Sequence, residues 1–490
     1  MTRCIFLGGL ILLFTIYDVA GQSRREDIYT DFVFYQKRVA LEKDLRERIV
    51  ARNFSLPLNP DTEDKFLSGC WAVSQFLFAS PVVDQGFTTL FNGYDSLSYD
   101  TRKALLEAVY AVAPRQYISS MEGLLEKETD PKLFAMGAVY VYRCDSSTEK
   151  GNELKIRMVE KFPGYDTVAI LQELQNYLSY HGEYMRRRTP DLSALFTYQR
   201  MLGQKVIYSF QRWDRDYPGL AVVQNADGQF ARDGQGRLLV FEQLARSGPD
   251  LPYFITNGST PQGVYSIQGT DVSRTNFIGP TPNLQLLLPF EGGWGKYFQW
   301  KDSVESSDKQ GAGAESGKLQ VTSDKQGNWR ADRKTGAGVS GDPGSATDAG
   351  RGRALAPGAG QIENVDSLRL YQELLPPGWR EYAPMMEAWA AGRIGRTEII
   401  AHGTTIDPEY FKDKPFYPLT PTMGCLCAKE LWNPTSGHLL VSEQFNLVST
   451  FLSTPGRKGF LYVIDVDDQH KPVSRAEVER WVQQWEGRKR

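Results

Sequence analysis

The chain has 490 residues, enough for two or three domains, and 41% of them are hydrophobic, enough for sizeable cores. Its net charge of -3 lacks the basic surplus of a nucleic-acid binder. Five cysteines are too few for a disulfide-stapled scaffold of this length.

Residues 1–21 read as a signal peptide. Arg3 gives the positive end, Ile5 to Ile16 an apolar run too short to span a bilayer, and Val19-Ala20-Gly21 a small-residue cleavage site. The expected address is exported, in the periplasm or cell envelope. No later stretch approaches the about 20 continuous apolar residues of a membrane helix. Without Cys4, four thiols remain. Cys70 and Cys144 sit in apolar helical surroundings and read as buried thiols.

Residues 23–185 read as all helical. Asp130-Pro131 is an N-cap followed by Pro at the first helical position. Leu133, Met136, Gly137 and Tyr140 then fall on one helical face. Leu105, Ala108, Val109 and Val112 repeat the pattern, as do Ile118, Met121 and Leu125, with Pro114 as a breaker. Short helices in succession predict a repeat-like helical domain. Such a domain suits the docking of a protein partner, and equally a scaffold. His181 and the run Arg186-Arg187-Arg188 mark its edge.

From about residue 200 the hydrophobic period changes to two. Val206–Phe210, Ala221–Val223, Leu238–Phe241 and Tyr253–Ile255 read as strands, punctuated by Asn225-Ala-Asp-Gly228 and Asp233-Gly-Gln-Gly236. This predicts an antiparallel, mostly β domain over 200–300 and 363–490. Residues 301–362, rich in Gly, Ser, Asp and Lys, read as a disordered insertion. Beyond it come two short helical segments, then a strand from Arg396 delivering His402. A helix is expected over 441–452, a strand at Phe460–Ile464, and a helix opened by the capping box Ser474/Glu477. His438 and His470 lie in polar turns and read as surface residues.

One stretch carries chemistry. Cys425 follows Gly424, and His402-Gly403-Thr404 lies upstream. A thiolate can attack a carbonyl while an imidazole takes the thiol proton. Gly424 leaves room for backbone N–H groups near a developing oxyanion. The structural alternative is a small core cysteine with a packed histidine. A zinc site built from Cys425, Cys427, His402 and His438 is a third option, with an unusually tight Cys-x-Cys spacing.

These residues carry a resemblance. Thr422-Met423-Gly424-Cys425 is similar to the Ser/Thr-His-Gly-Cys motif of the L,D-transpeptidase family, and His402-Gly403 to that family's upstream His-Gly. Thr260-Pro261-Gln262-Gly263-Val264-Tyr265-Ser266-Ile267 resembles its Thr-Pro-x-Gly-x-Phe-x-Ile strand. The likeness covers roughly residues 200–300 and 395–466. Met423 stands where the family has His, and Cys427 where it has Arg or Asn.

The resemblance implies an α+β chain: a helical domain, then a mostly β catalytic domain of that type. It implies cysteine-dependent acyl transfer on peptidoglycan stem peptides without a cofactor. Cys425 would be the nucleophile and His402 the base, oriented by a backbone carbonyl at Gly403 or Thr404. Gly424, Gly403, Thr404, Thr422 and Met423 would shape the oxyanion and substrate pocket. A lid over the substrate groove would come from the segment before the His-Gly block. The rivals are a hydrolase on the same site and a non-catalytic peptidoglycan-binding protein.

Overall fold

The computed structural model describes residues 24–184, 188–299, 319–323, 329–333 and 360–488. The signal-peptide reading of residues 1–21 lies outside them. No described helix is long and apolar enough to cross a membrane.

The helical region runs to residue 201, past the boundary expected at 185. Its helices are α1 (Tyr35–Lys43), α2 (Glu63–Phe76), α3 (Pro81–Asn92), α4 (Tyr99–Val112), α5 (Ile118–Lys127), α6 (Pro131–Cys144), α7 (Thr148–Lys161), α8 (Ala169–Tyr184) and α9 (Leu192–Met201). Local signals set the ends. Ser80, Ser98, Asp130 and Ser147 each accept an N-terminal backbone N–H, and α3 and α6 carry Pro in the first turn. α6 is buried all round, with every residue from Leu133 to Tyr142 in the core. The single face read from its spacing therefore understates its packing.

The β region is a closed barrel. Its strands are β1 (Val206–Gln211), β2 (Gly219–Gln224), β3 (Phe241–Leu244), β4 (Gly263–Asp271), β5 (Asn283–Leu287), β8 (Ile400–His402), β9 (Leu426–Ala428) and β12 (Gly459–Asp465). They close in the order β1-β12-β4-β5-β8-β9-β3-β2. The sheet is mixed, not antiparallel throughout, because β1 pairs with β12 and β8 with β9 in parallel. One apolar cluster takes a residue from every strand, including Ile207, Phe241, Tyr265, Leu284, Ala401, Leu426 and Leu461. That cluster is the barrel interior, joined by Leu447, Val448 and Phe451.

Closure joins residues 206–211 to 460–465, so the two ends of the β region hold each other. Behind β1, Arg212 is fully buried. It ion-pairs with Asp467 and with Glu477, the capping-box residue. A second cluster covers the outer face of β1, β2, β4 and β12. It comprises α9, α11 (Gly360–Glu373), α12 (Pro377–Arg380), α13 (Glu387–Ile394) and α15 (Arg475–Gly487), numbered after the short α10 (Trp294–Tyr297) and with α14 (Glu443–Leu452) before α15. The segment before the His-Gly block thus pads the barrel wall: Tyr371 Oη accepts from Val264 N–H and donates to Met385 O.

One expectation fails locally. Tyr253-Phe254-Ile255 is not a strand but a series of turns, because Phe254 and Ile255 bury against the helical region. Within 301–362, the span read as a disordered insertion, β6 (Leu319–Ser323) and β7 (Trp329–Arg333) pair antiparallel. Apart from the first residues of α11, the rest of that span lies outside the described residues. A further two-stranded sheet, β10 (Glu430–Trp432) with β11 (Leu439–Ser442), follows β9.

The helical region docks on the loops around the site. Leu251, Phe254, Phe411, Phe416 and Leu419 share one core with α2, α4, α6 and α8. Lys132 donates to Thr256 Oγ1, Asn257 to Glu107, and Tyr253 to Glu173. The surface expected to dock a partner is, on this side, occupied by the chain's own barrel.

Candidate active site

Cys425 lies at the mouth of the barrel, one residue before β9. β8 and β9 run parallel, with Ala401 opposite Leu426 and His402 opposite Cys427. One step earlier Cys425 comes alongside Ile400, whose N–H donates to its Sγ at 3.5 Å. The thiol in turn donates to Glu398 O at 3.6 Å. His402 and Cys425 therefore project from the same strand face, two residues out of register. From the strand spacing and rise, their backbones lie about 8 Å apart. No hydrogen bond joins the two side chains; each is held by backbone.

Of the two backbone carbonyls, Gly403 and Thr404, read as able to orient His402, the structure has Gly403. Nδ1 lies 2.5 Å from Gly403 O, so Nδ1 carries the proton and Nε2 is the bare nitrogen. Burial pushes the imidazole down to about 4, against a smaller upward pull from that carbonyl, so His402 is neutral near neutral pH.

Cys425 is half-buried. Burial pushes its thiol up to about 11, with Glu398 and Glu291 adding to the rise. The Ile400 N–H and the Arg396 guanidinium oppose it. The resting pair is a neutral thiol and a neutral imidazole.

The turn before Cys425 is built by hydrogen bonds. Thr422 Oγ1 accepts from Gly424 N–H at 3.1 Å and donates to Cys425 O at 2.8 Å. The Gly424 N–H, expected as an oxyanion donor, is thus already engaged. Gly424 has φ +114°, and a Cβ there would meet Arg396 Nη2. Thr260 Oγ1 donates to Gly424 O at 3.0 Å, so the Thr-Pro block touches the Gly-Cys block. Met423 is half-buried beside them.

Gly403 and Thr404 face a buried carboxyl. Glu430 Oε2 accepts from Thr404 N–H at 2.8 Å and Oε1 from Ser442 Oγ at 2.6 Å. Burial pushes Glu430 up to about 8 against those bonds, so it holds a proton near neutral pH. Its carboxyl occupies the space a Gly403 Cβ would need. Thr404 is otherwise structural: its hydroxyl donates to Phe277 O and its carbonyl accepts from Trp432 Nε1.

Sequence reasoning missed two groups. Arg396 looked like the start of a strand. Instead it is buried against Gly424, donating to Gly258 O and Ser259 O, and supplies a guanidinium near the thiol where Cys427 cannot. Glu430 sits in a three-residue strand with no motif around it.

Cys427 is buried, its thiol within 3.5 Å of Thr420 Oγ1. His438 is exposed against Tyr29, and exposed His470 pairs with Asp214. Among the described residues no group of three or more His, Cys, Asp or Glu side chains is placed to hold a metal. Comparison with known proteins finds no matching family model, no matching curated protein and no matching solved structure.

Proposed function

We propose that the chain is an exported, cell-envelope cysteine acyltransferase acting on peptidoglycan stem peptides, in the manner of an L,D-transpeptidase. The observation that carries this reading is convergence. Three blocks far apart in sequence meet at one barrel mouth: Thr260 holds Gly424, and the His402 strand pairs with the strand that Cys425 opens.

In the reaction His402 Nε2 takes the Cys425 proton. The thiolate attacks the carbonyl of the third stem residue. The C–N bond to the terminal residue breaks, and the imidazolium protonates the leaving amine. An amine of a second stem attacks the thioester, its proton passes through His402, and the thiol is restored. The Arg396 charge near Gly424 favours both thiolate and oxyanion. Contact with His402 requires the thiol to leave Ile400 and Glu398 for another staggered rotamer; its bonds there, at 3.5 and 3.6 Å to sulfur, are weak ones.

A second reading, a peptidoglycan-binding module without catalysis, draws support from the absent His402–Cys425 bond and from a thiol pushed up to about 11. Incubation of the purified protein with muropeptides separates the options. The proposal expects new cross-linked dimers by mass. Shortened stems alone indicate a hydrolase on the same thiol, and unchanged muropeptides favour the binding module.

A further inference from the structure

A cavity of about 300 Å³ lies between the helical region and the barrel, and its lining includes Thr260, the residue that donates to Gly424 O. Its volume is at the lower end of the range for small-ligand sites. Tyr110 and Tyr177 from the helices face Trp213 and Tyr253 from the barrel loops. Five charged side chains line the same space: Arg143, Arg215, Asp250, Glu387 and Asp465.

One buried pair among these leaves a hydrogen-bonding need unmet. Arg215 is 9% exposed, and Asp465 3%. Arg215 Nη2 donates to Asp465 Oδ2 at 3.1 Å and lies 2.9 Å from Oδ1, so one guanidinium nitrogen ion-pairs with both carboxylate oxygens. A buried donor left without a hydrogen bond, as Arg215 Nη1 is, is costly, and native proteins rarely keep one. The donor calls for a carboxylate or carbonyl, and the Asp465 and Asp250 carboxyls in the same lining can accept from an ammonium or N–H.

Charge balance points the same way. Glu387 is pushed up to about 8, by burial first and the nearby Asp465 second, so it is protonated near neutral pH. Its oxygens accept from the Gln262 backbone and side chain, which fixes it against β4. Arg143 and Arg215 then face Asp250 and Asp465, whose carboxyls burial pushes up against the pull of the neighbouring arginines. A lining that sets guanidinium groups beside carboxyls suits a ligand with one anionic and one cationic end.

We infer that this cavity binds a small zwitterion, a free amino acid or dipeptide, with its carboxylate at Arg215, its ammonium at Asp465 and Asp250, and its side chains against Trp213 and Tyr177. The site does not use the Cys425 thiol, and the inference stands apart from the acyl-transfer reading.

Titration calorimetry of the full chain with alanyl-alanine, its N-acetyl form and its C-terminal amide tests it. Alanyl-alanine is expected to bind, and each blocked form to bind about tenfold or more weakly. Arg215→Gln should make acid and amide bind alike, and Trp213→Ala should weaken all three. Cys425→Ala should leave binding unchanged, so the site can be judged even if acyl transfer fails. The comparison of free and blocked dipeptides in the wild type needs no variant, which covers the case in which Arg215→Gln does not fold. Absence of binding at millimolar ligand, equal binding of blocked and free forms, or acid–amide discrimination that survives Arg215→Gln would overturn the inference.

Discussion

His402 stands directly opposite Cys427 across the parallel β8–β9 pair, while Cys425 comes alongside Ile400. The resting site is therefore an unengaged pair: a neutral imidazole with Nε2 bare and a protonated thiol on the β8 backbone. On the proposed acyl-transfer reading, the thiol must leave its contacts with the β8 backbone to reach His402.

This arrangement fixes the pH dependence of thiol reactivity. With Cys425 pushed up to about 11, its thiolate fraction should rise about tenfold per pH unit between pH 7 and 10. Alkylation of the native protein by iodoacetamide, mapped by peptide mass, should follow that slope at Cys425. Cys427, 1% exposed and pushed up to about 12, should stay unmodified until the protein unfolds. A plateau in the Cys425 rate near pH 7 would indicate a preformed thiolate–imidazolium pair, contrary to this geometry.

Gly403→Ala should destabilise the chain by about 1–3 kcal/mol, because its methyl collides with the Glu430 carboxyl. Adding Glu430→Ala should recover part of that loss, since the two positions share one space. Urea midpoints of the two single variants and the double variant measure the coupling. Simple additivity would mean that the backbone, not the carboxyl, sets the cost.

Glu430 also gives a stability slope. Its folded value, about 8, lies above its ordinary 4.5, so the folded state binds the extra proton between them. That stabilisation is fully present below pH 4.5 and is lost as pH rises through 8. His402, lowered to about 4 from 6.5, acts oppositely: its contribution is present above pH 6.5 and is lost as pH falls through 4. In Glu430→Gln the decline toward pH 8 should become shallower, keeping the share of Glu387, which burial also pushes up to about 8, while the His402 limb remains. Melting temperatures across pH 4 to 9 show whether it does; an unchanged alkaline limb would remove Glu430 as its source.

Met423→His should keep or raise thioester formation. Met423 is half-buried beside the turn, and that turn is held by Thr422, Thr260 and Arg396. Complete loss of the adduct on this change would mean that the pocket depends on the thioether.

Much of the fold was legible because its signals are local. The Asp130–Pro131 cap and the Ser474/Glu477 box each act within four residues, and both stand as read. Barrel closure was not legible, because β1 meets β12 across 250 residues and no local pattern encodes a parallel partner. Tyr253-Phe254-Ile255 reads as a strand because its burial is supplied by helices elsewhere in sequence. At the site, the Gly403 carbonyl partner of His402 was foreseeable from adjacency alone. The Arg396 guanidinium and the Glu430 carboxyl were not, since each reaches Gly424 or Gly403 only through tertiary packing.

The most direct test of the central claim is intact-protein mass after exposure to a carbapenem, whose strained acyl group stands in for the donor carbonyl. Wild type should gain one covalent adduct, mapped to Cys425. Cys425→Ala should gain none, and His402→Ala should gain it much more slowly. Because thiol and base act as one unit, the double variant should be little worse than Cys425→Ala. Identical spectra for wild type and Cys425→Ala, with no adduct or with one mapped to Cys427, would contradict the account.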